Sequence, residues 1–184
     1  SAATARFGTL ADPAGSFVLR GVRVIDPDAG TDGIRDLSVV DGVIQEINAA
    51  GQLVWSWRVD DHFGYGEVTF PQRFTQYRGA PNGGEVDPWH INSIDRVTDG
   101  SGDYIVSMRH LDAVARVDRG VPSGAVEWIL GSLPDNAPQE SGALRLEIIG
   151  DPLGGPRRPH DARLNGDVLT MLDNRTNTGQ PARA

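Results

Sequence analysis

The stretch His90-Ile91-Asn92, continued by Gly102-Asp103-Tyr104-Ile105-Val106, Ala113-Val114-Ala115-Arg116-Val117-Asp118 and Gly124-Ala125-Val126-Glu127-Trp128, decides the fold. It reads as four short strands joined by turns, because apolar and β-branched residues cluster in runs of four to six between Gly and Asp. Its parts recur elsewhere in the chain. Val43-Ile44-Gln45-Glu46-Ile47-Asn48, then Gly51-Gln52-Leu53-Val54-Trp55, repeats the later half. His160-Asp161-Ala162, then Gly166-Asp167-Val168-Leu169-Thr170, repeats the earlier half. Both offsets are close to 70 residues. A unit of four antiparallel strands is the composition of a β-propeller blade.

Working outward, alternation over Phe17–Val24 predicts a strand, and Asp26-Pro27-Asp28-Ala29-Gly30 a turn. Leu37–Val40 and Val43–Ile47 are strands about the hairpin dipeptide Asp41-Gly42, and Leu53–Val59 is the next. Further strands are expected at Ile91–Val97, Tyr104–Met108, Ala113–Val117, Ala125–Leu130, Leu144–Ile149, Ala162–Leu164 and Val168–Leu172. No segment has helical periodicity.

The expected organisation is all-β: a partial β-propeller of about two and a half four-stranded antiparallel blades. Residues 1–15 read as an N-terminal loop and 16–59 as the end of one blade. Residues 60–88 form a long loop, 89–131 a full blade, 132–159 an insertion loop, and 160–184 the start of a further blade. Propellers usually close with four or more blades, so the chain is expected to be a piece of a larger one. Open blade edges would favour self-association. A β-sandwich with similar hairpins is the alternative architecture.

Composition narrows the function classes. The formal charge of −8 and pI near 4.9 oppose binding to nucleic acid or anionic membranes. With no cysteine, disulfides, thiolate nucleophiles and Cys-based zinc sites are excluded. No apolar run approaches the length of a membrane span, and Ser1–Arg6 has no signal-peptide core.

Several motifs carry a family resemblance. Asp87-Pro88-Trp89-His90-Ile91-Asn92-Ser93-Ile94-Asp95, followed by Gly102-Asp103-Tyr104-Ile105-Val106-Ser107-Met108-Arg109-His110, closely resembles the arylsulfotransferases. So do Val126-Glu127-Trp128-Ile129-Leu130-Gly131, Pro159-His160-Asp161-Ala162-Arg163, Asn165-Gly166-Asp167 and Leu172-Asp173-Asn174. The resemblance covers roughly residues 41–184. It implies a six-bladed propeller with the active site at its central channel. It also implies sulfuryl transfer from an aryl sulfate donor to a phenol acceptor, without PAPS or another cofactor, through a sulfohistidine. His160 matches the nucleophile's motif, His90 and Asn92 the H-x-N-S pair, and Arg109 the S-x-R arginine. A further histidine from an earlier blade has no match and would lie before Ser1. A periplasmic or secreted setting is implied as well.

The residue types suit that chemistry. A neutral imidazole is a competent nucleophile near neutral pH. Arg109 offers a fork of donors to an oxyanion, Asn92 a neutral donor, and His90 an acid for the leaving oxygen. Trp89, beside His90, and His62, on the long loop, are candidate substrate-binding residues. Trp55, Trp57 and Trp128 are expected to pack between blades. His110 follows Arg109, so strand alternation assigns it to the opposite face and a structural role.

Other readings remain open. The propeller could be a non-catalytic binding scaffold, or His90, His160 and Asp161 could hold a metal. Gly21–Pro27 and Asp36–Ile44 are similar to the opening strands of a dihydroorotase-type amidohydrolase, yet no H-x-H pair follows; His62 stands alone.

Overall fold

A computed structural model describes residues 17–26, 31–40, 42–48, 52–69, 88–121, 124–131, 141–176 and 178–184. The loop expected over 1–15 lies outside the described residues. So do residues 70–87 of the long loop and 132–140 of the insertion.

The described residues form three β-sheets and no α-helix. Strands β1 (Phe17–Asp26), β2 (Thr31–Val40), β3 (Val43–Ile47) and β4 (Leu53–Arg58) make an antiparallel meander. Residues 16–59, expected to end a blade, thus hold a four-stranded sheet of their own, and β2 starts six residues before the expected Leu37. Strands β5 (Ile91–Arg96), β6 (Tyr104–Met108), β7 (Ala113–Val117) and β8 (Val126–Gly131) repeat the meander. A two-residue strand, β9 (Leu144–Arg145), adds to β8 in parallel. The strand expected over Leu144–Ile149 therefore stops at Arg145. Leu144 and Ile149 are exposed, so no buried face sustains its alternation. Strands β10 (Pro159–Asn165) and β11 (Val168–Asp173) form a hairpin.

Side-chain alternation explains how the sheets stack. All five residues of β6 are buried, so both faces of the second sheet are covered. On one face Tyr104, Val106, Met108, Ala113, Ala115 and Val117 pack with Ile44, Trp55 and Trp57 of the first sheet. On the other, Ile105 and Val114 pack with Ala162, Trp128, Leu164, Leu169 and Met171. The second sheet therefore lies between the first sheet and the β10–β11 hairpin.

Trp55, Trp57 and Trp128 belong to these two layers. Trp55 also stacks on Tyr104 with ring centroids 5.3 Å apart. Gly124 is required by this packing: a Cβ there would lie 2.6 Å from Trp57 Cδ1, and its φ is +68°. Gly42, at φ +76° in the β2–β3 turn, would place a Cβ 2.5 Å from Val59 Cγ1. A polar tie crosses the same layer, where Arg119 Nε bonds the buried Glu46 carboxylate at 3.1 Å.

Candidate active site

Three segments meet at one end of the second sheet. Antiparallel pairing of β5 with β6 places the start of one beside the end of the other. The Arg109 N–H donates to the His90 carbonyl at 3.0 Å, and the His110 N–H to the Trp89 carbonyl at 3.1 Å. The third segment, Pro159-His160, is tied on by side chains. Asn92 Nδ2 donates to the Pro159 carbonyl at 2.9 Å, and Ala162 N–H to Ser93 Oγ at 3.1 Å. The Ser107 hydroxyl bonds Asn92 Oδ1 and also meets Ser93 Oγ in a short contact. Asn92, Ser93 and Ser107 thus fasten β10 onto β5 and β6.

Both histidine-led strands are bulged. The β5–β6 register shifts between Ile91 and Ser93, and the β10–β11 register between His160 and Arg163. A bulge bends its strand and re-aims the neighbouring side chains. Positive φ angles gather here too: His90, Asp112, Arg158 and Asp161 are four of the five non-glycine residues with φ above zero among the described residues. Each costs on the order of 1 kcal/mol, and such strain tends to concentrate where side-chain placement matters to function.

A buried carboxylate joins the segments from behind. Asp112 is fully buried. Its Oδ1 accepts from the Arg158 N–H at 2.8 Å and from Arg158 Nη1 at 2.7 Å. Its Oδ2 accepts from the Thr69 hydroxyl at 2.9 Å and from Arg157 Nη1 at 3.1 Å. The turn carrying Arg109 is thereby locked to the chain entering β10. Removing one partner from such a buried pair would strand a charge.

The site is electropositive around a neutral imidazole. Burial holds the His160 pKa below the ordinary histidine value, and the nearby Arg109 guanidinium and His90 ring lower it further. His160 Nε2 is buried and has no hydrogen-bond partner among the described residues. Arg109 Nη1 lies 3.1 Å from His110 Nε2, and the His90 and His110 ring centroids are 4.8 Å apart. The His160 ring thus lies within electrostatic reach of the Arg109 guanidinium and the His90 imidazole, with its Nε2 buried. No three His, Asp or Glu side chains among the described residues are grouped so as to hold a metal ion.

The arylsulfotransferase (ASST) family model matches residues 11–182. The chain belongs to the arylsulfotransferase family. No curated protein and no solved structure matches it. Membership supports arylsulfotransferase activity in general terms. No helix among the described residues is long and apolar enough to cross a membrane.

In this member of the family the named residues fall into distinct settings. His90 and Arg109 meet through a backbone hydrogen bond, and both lie within electrostatic reach of His160. Asn92 spends its carbonyl on Ser107 and one amide hydrogen on Pro159, which leaves its second amide hydrogen for another acceptor. Trp89 is buried, stacks on the exposed Tyr65 at 5.2 Å, and has an indole N–H with no partner among the described residues. His62 stacks on Trp57 at 5.4 Å, which ties its ring to the first sheet.

His110 corrects the sequence reading. Strand alternation was the basis for sending it to the opposite face, but Arg109–Leu111 is a 3-10 turn rather than an extension of β6. Adjacent residues in such a turn do not alternate by 180°, so His110 stays beside Arg109 and His90. The pair Leu111-Asp112 before Ala113 was the available turn signal in the sequence.

Proposed function

We propose that this chain carries the sulfuryl-transfer centre of a β-propeller arylsulfotransferase, each of the three stacked sheets contributing one blade or part of one. The substrates are an aryl sulfate donor and a phenol acceptor, and no PAPS takes part. The single observation that carries this reading is the buried Nε2 of His160, without a partner among the described residues and kept neutral by burial and by the charge of Arg109.

The chemistry runs in two displacements. The His160 Nε2 lone pair attacks the sulfur of the aryl sulfate. The S–N bond forms as the S–O bond to the ring breaks, leaving a sulfohistidine and a phenolate. His90 gives the departing oxygen a proton. The acceptor phenol then enters and returns a proton to His90. Its oxygen attacks sulfur, the S–N bond breaks, and His160 is restored. Arg109 donates to the sulfuryl oxygens, where charge builds in both transition states, and such preorganised donors are worth about 10²–10³ in rate. The second amide hydrogen of Asn92 adds a neutral donor. Trp89 and His62 are the candidates for holding the substrate ring, Trp89 from beneath the exposed Tyr65.

The test mixes the protein with 4-nitrophenyl sulfate and phenol and follows nitrophenol release. In the absence of phenol, acid-labile sulfate should appear on His160, detected by mass spectrometry of peptides prepared at high pH. A stable label elsewhere, or turnover with no labelled histidine, would rule out the sulfohistidine route. Tight binding of aryl sulfates without any turnover would favour a binding scaffold.

A further inference from the structure

The bulges of β5 and β10 are joined to each other. In β5, Ile91 and Ser93 face the consecutive residues Met108 and Ser107, so Asn92 is the extra residue. In β10, His160 faces Leu172 and Arg163 faces Thr170, so Asp161 and Ala162 share the span of Met171. Asp161 carries the backbone through this excess at φ +49°. Side chains of β5 and β6 grip β10 on both sides of that point.

Counting hydrogens fixes the direction of every bond between them. The Pro159 carbonyl only accepts, so the Asn92 amide nitrogen faces it, at 2.9 Å, and Oδ1 is left to accept. The single hydroxyl hydrogen of Ser107 goes to that Oδ1. Ser107 can then only accept from Ser93, so Ser93 is the donor in their short contact. Ser93 Oγ in turn accepts the Ala162 N–H at 3.1 Å. The hydrogens therefore run one way, from Ala162 through Ser93, Ser107 and Asn92 to Pro159. This chain leaves β10 after His160-Asp161 and returns to it before them. Ser107 is fully buried, and Asn92 and Ser93 are half-buried, so water competes little for the links.

We propose that Ser93 and Ser107 are positioning residues for sulfuryl transfer: their one-way chain with Asn92 closes a loop around His160-Asp161 and fixes the bulge that carries the His160 imidazole. The proposal rests on the reading above that His160 takes the sulfuryl group. Neither serine touches the substrate; both act through the backbone on either side of His160. The same chain sets which end of the Asn92 amide faces Pro159.

The experiment compares the full chain with S93A, S107A, the double variant S93A/S107A and S93T. Each alanine should lower kcat by about 10²-fold, the scale for a small displacement of a reacting group, with a far smaller change in KM. The two losses should not multiply in the double variant, because both substitutions cut one chain. S93T returns a hydroxyl and should recover most of the S93A loss. S101A removes a hydroxyl from the turn between β5 and β6, away from β10, and should leave kcat unchanged.

Histidine ¹H–¹⁵N spectra give a readout free of turnover. Burial is the main cause of the low His160 pKa, with the Arg109 guanidinium and the His90 ring the charged groups that act on it. Loosening the bulge admits water, so His160 should titrate at higher pH in S93A and S107A, with the His62 signal in place. A His160 titration unmoved in both alanine variants, or kcat losses that multiply, overturns the proposal. A His160 titration that moves in a protein that cleaves no aryl sulfate upholds the positioning role and sinks the sulfohistidine reading instead.

Discussion

His90 and His160 occupy equivalent places in a repeated sequence pattern, yet the fold gives them different surroundings. His90 precedes its strand at φ +53°, with its carbonyl taken by Arg109 N–H and its ring against His110. His160 lies within β10, across from Leu172, and its Nε2 meets no partner among the described residues. One imidazole is embedded in a donor–acceptor arrangement, which suits a group that passes protons. The other keeps a buried Nε2 that no described residue engages, which suits a group that forms a bond with substrate. The repeat duplicates a strand start, and the neighbours on either side give the two rings different settings.

Exchanging these roles is the strongest way to break the comparison. His160→Asn should reduce turnover of 4-nitrophenyl sulfate by about 10⁴-fold or more, the scale for losing a nucleophile. His90→Asn should cost about 10²–10⁴-fold, the range for a general acid. Its penalty should be smaller for 4-nitrophenyl sulfate than for phenyl sulfate, because the better leaving group needs its proton less. Equal losses that ignore the leaving group would merge the two roles.

The pH profile sharpens the same contrast. A lowered pKa keeps His160 neutral to more acidic pH than an ordinary histidine, whose value is about 6.5. The acid limb of kcat/KM should therefore fall below that pH, as His160 gains its proton. Burial is the main cause and Arg109 the next, so Arg109→Gln should move the midpoint upward, toward the ordinary value, while also lowering kcat. A midpoint that shifts downward in the variant would contradict the electrostatic account.

Asn92→Ala tests how His160 is held. It strands the Pro159 carbonyl and leaves the Ser107 hydroxyl only Ser93 Oγ, a loss of about 1–3 kcal/mol. Thermal unfolding should report the lower stability, and kcat should fall further than the unfolded fraction explains. The smallest effect belongs to His62→Ala, which removes a ring stack worth about 0.5–1.5 kcal/mol. Calorimetry should detect that loss with kcat nearly unchanged.

Much of the framework was legible because it follows from local rules. Period-two patterning and Gly-Asp turns marked most strands of the three sheets, and Asp41-Gly42 marked the β2–β3 hairpin. Trp55, Trp57 and Trp128 stood out as large apolar residues at strand ends, the kind that sheet stacking buries. The start of β2 escapes sequence patterning because Asp32 and Gly33 are weak strand formers, recruited by pairing with Ile25 and Val24 of β1. The length of β9 was misjudged because an apolar run on an exposed edge has no face to pack.

The candidate site divides in the same way. His90, Arg109 and His160 could be picked out from motifs, since each motif is contiguous. The double use of the Asn92 amide and the Asp112 clasp on Arg158 could not, because each joins residues 46 or more positions apart or depends on a bulge.

The sequence by itself determined an all-β chain of repeated strand units, an acidic surface without cysteine, and two histidine-led strands of arylsulfotransferase type. Those properties are written in residue order and short-range periodicity. Only the tertiary structure decided that His110 turns toward Arg109 and that His160 Nε2 is buried without a partner among the described residues. A 3-10 turn, two bulges and contacts between distant strands set those directions, and such contacts form only when the sheets pack together.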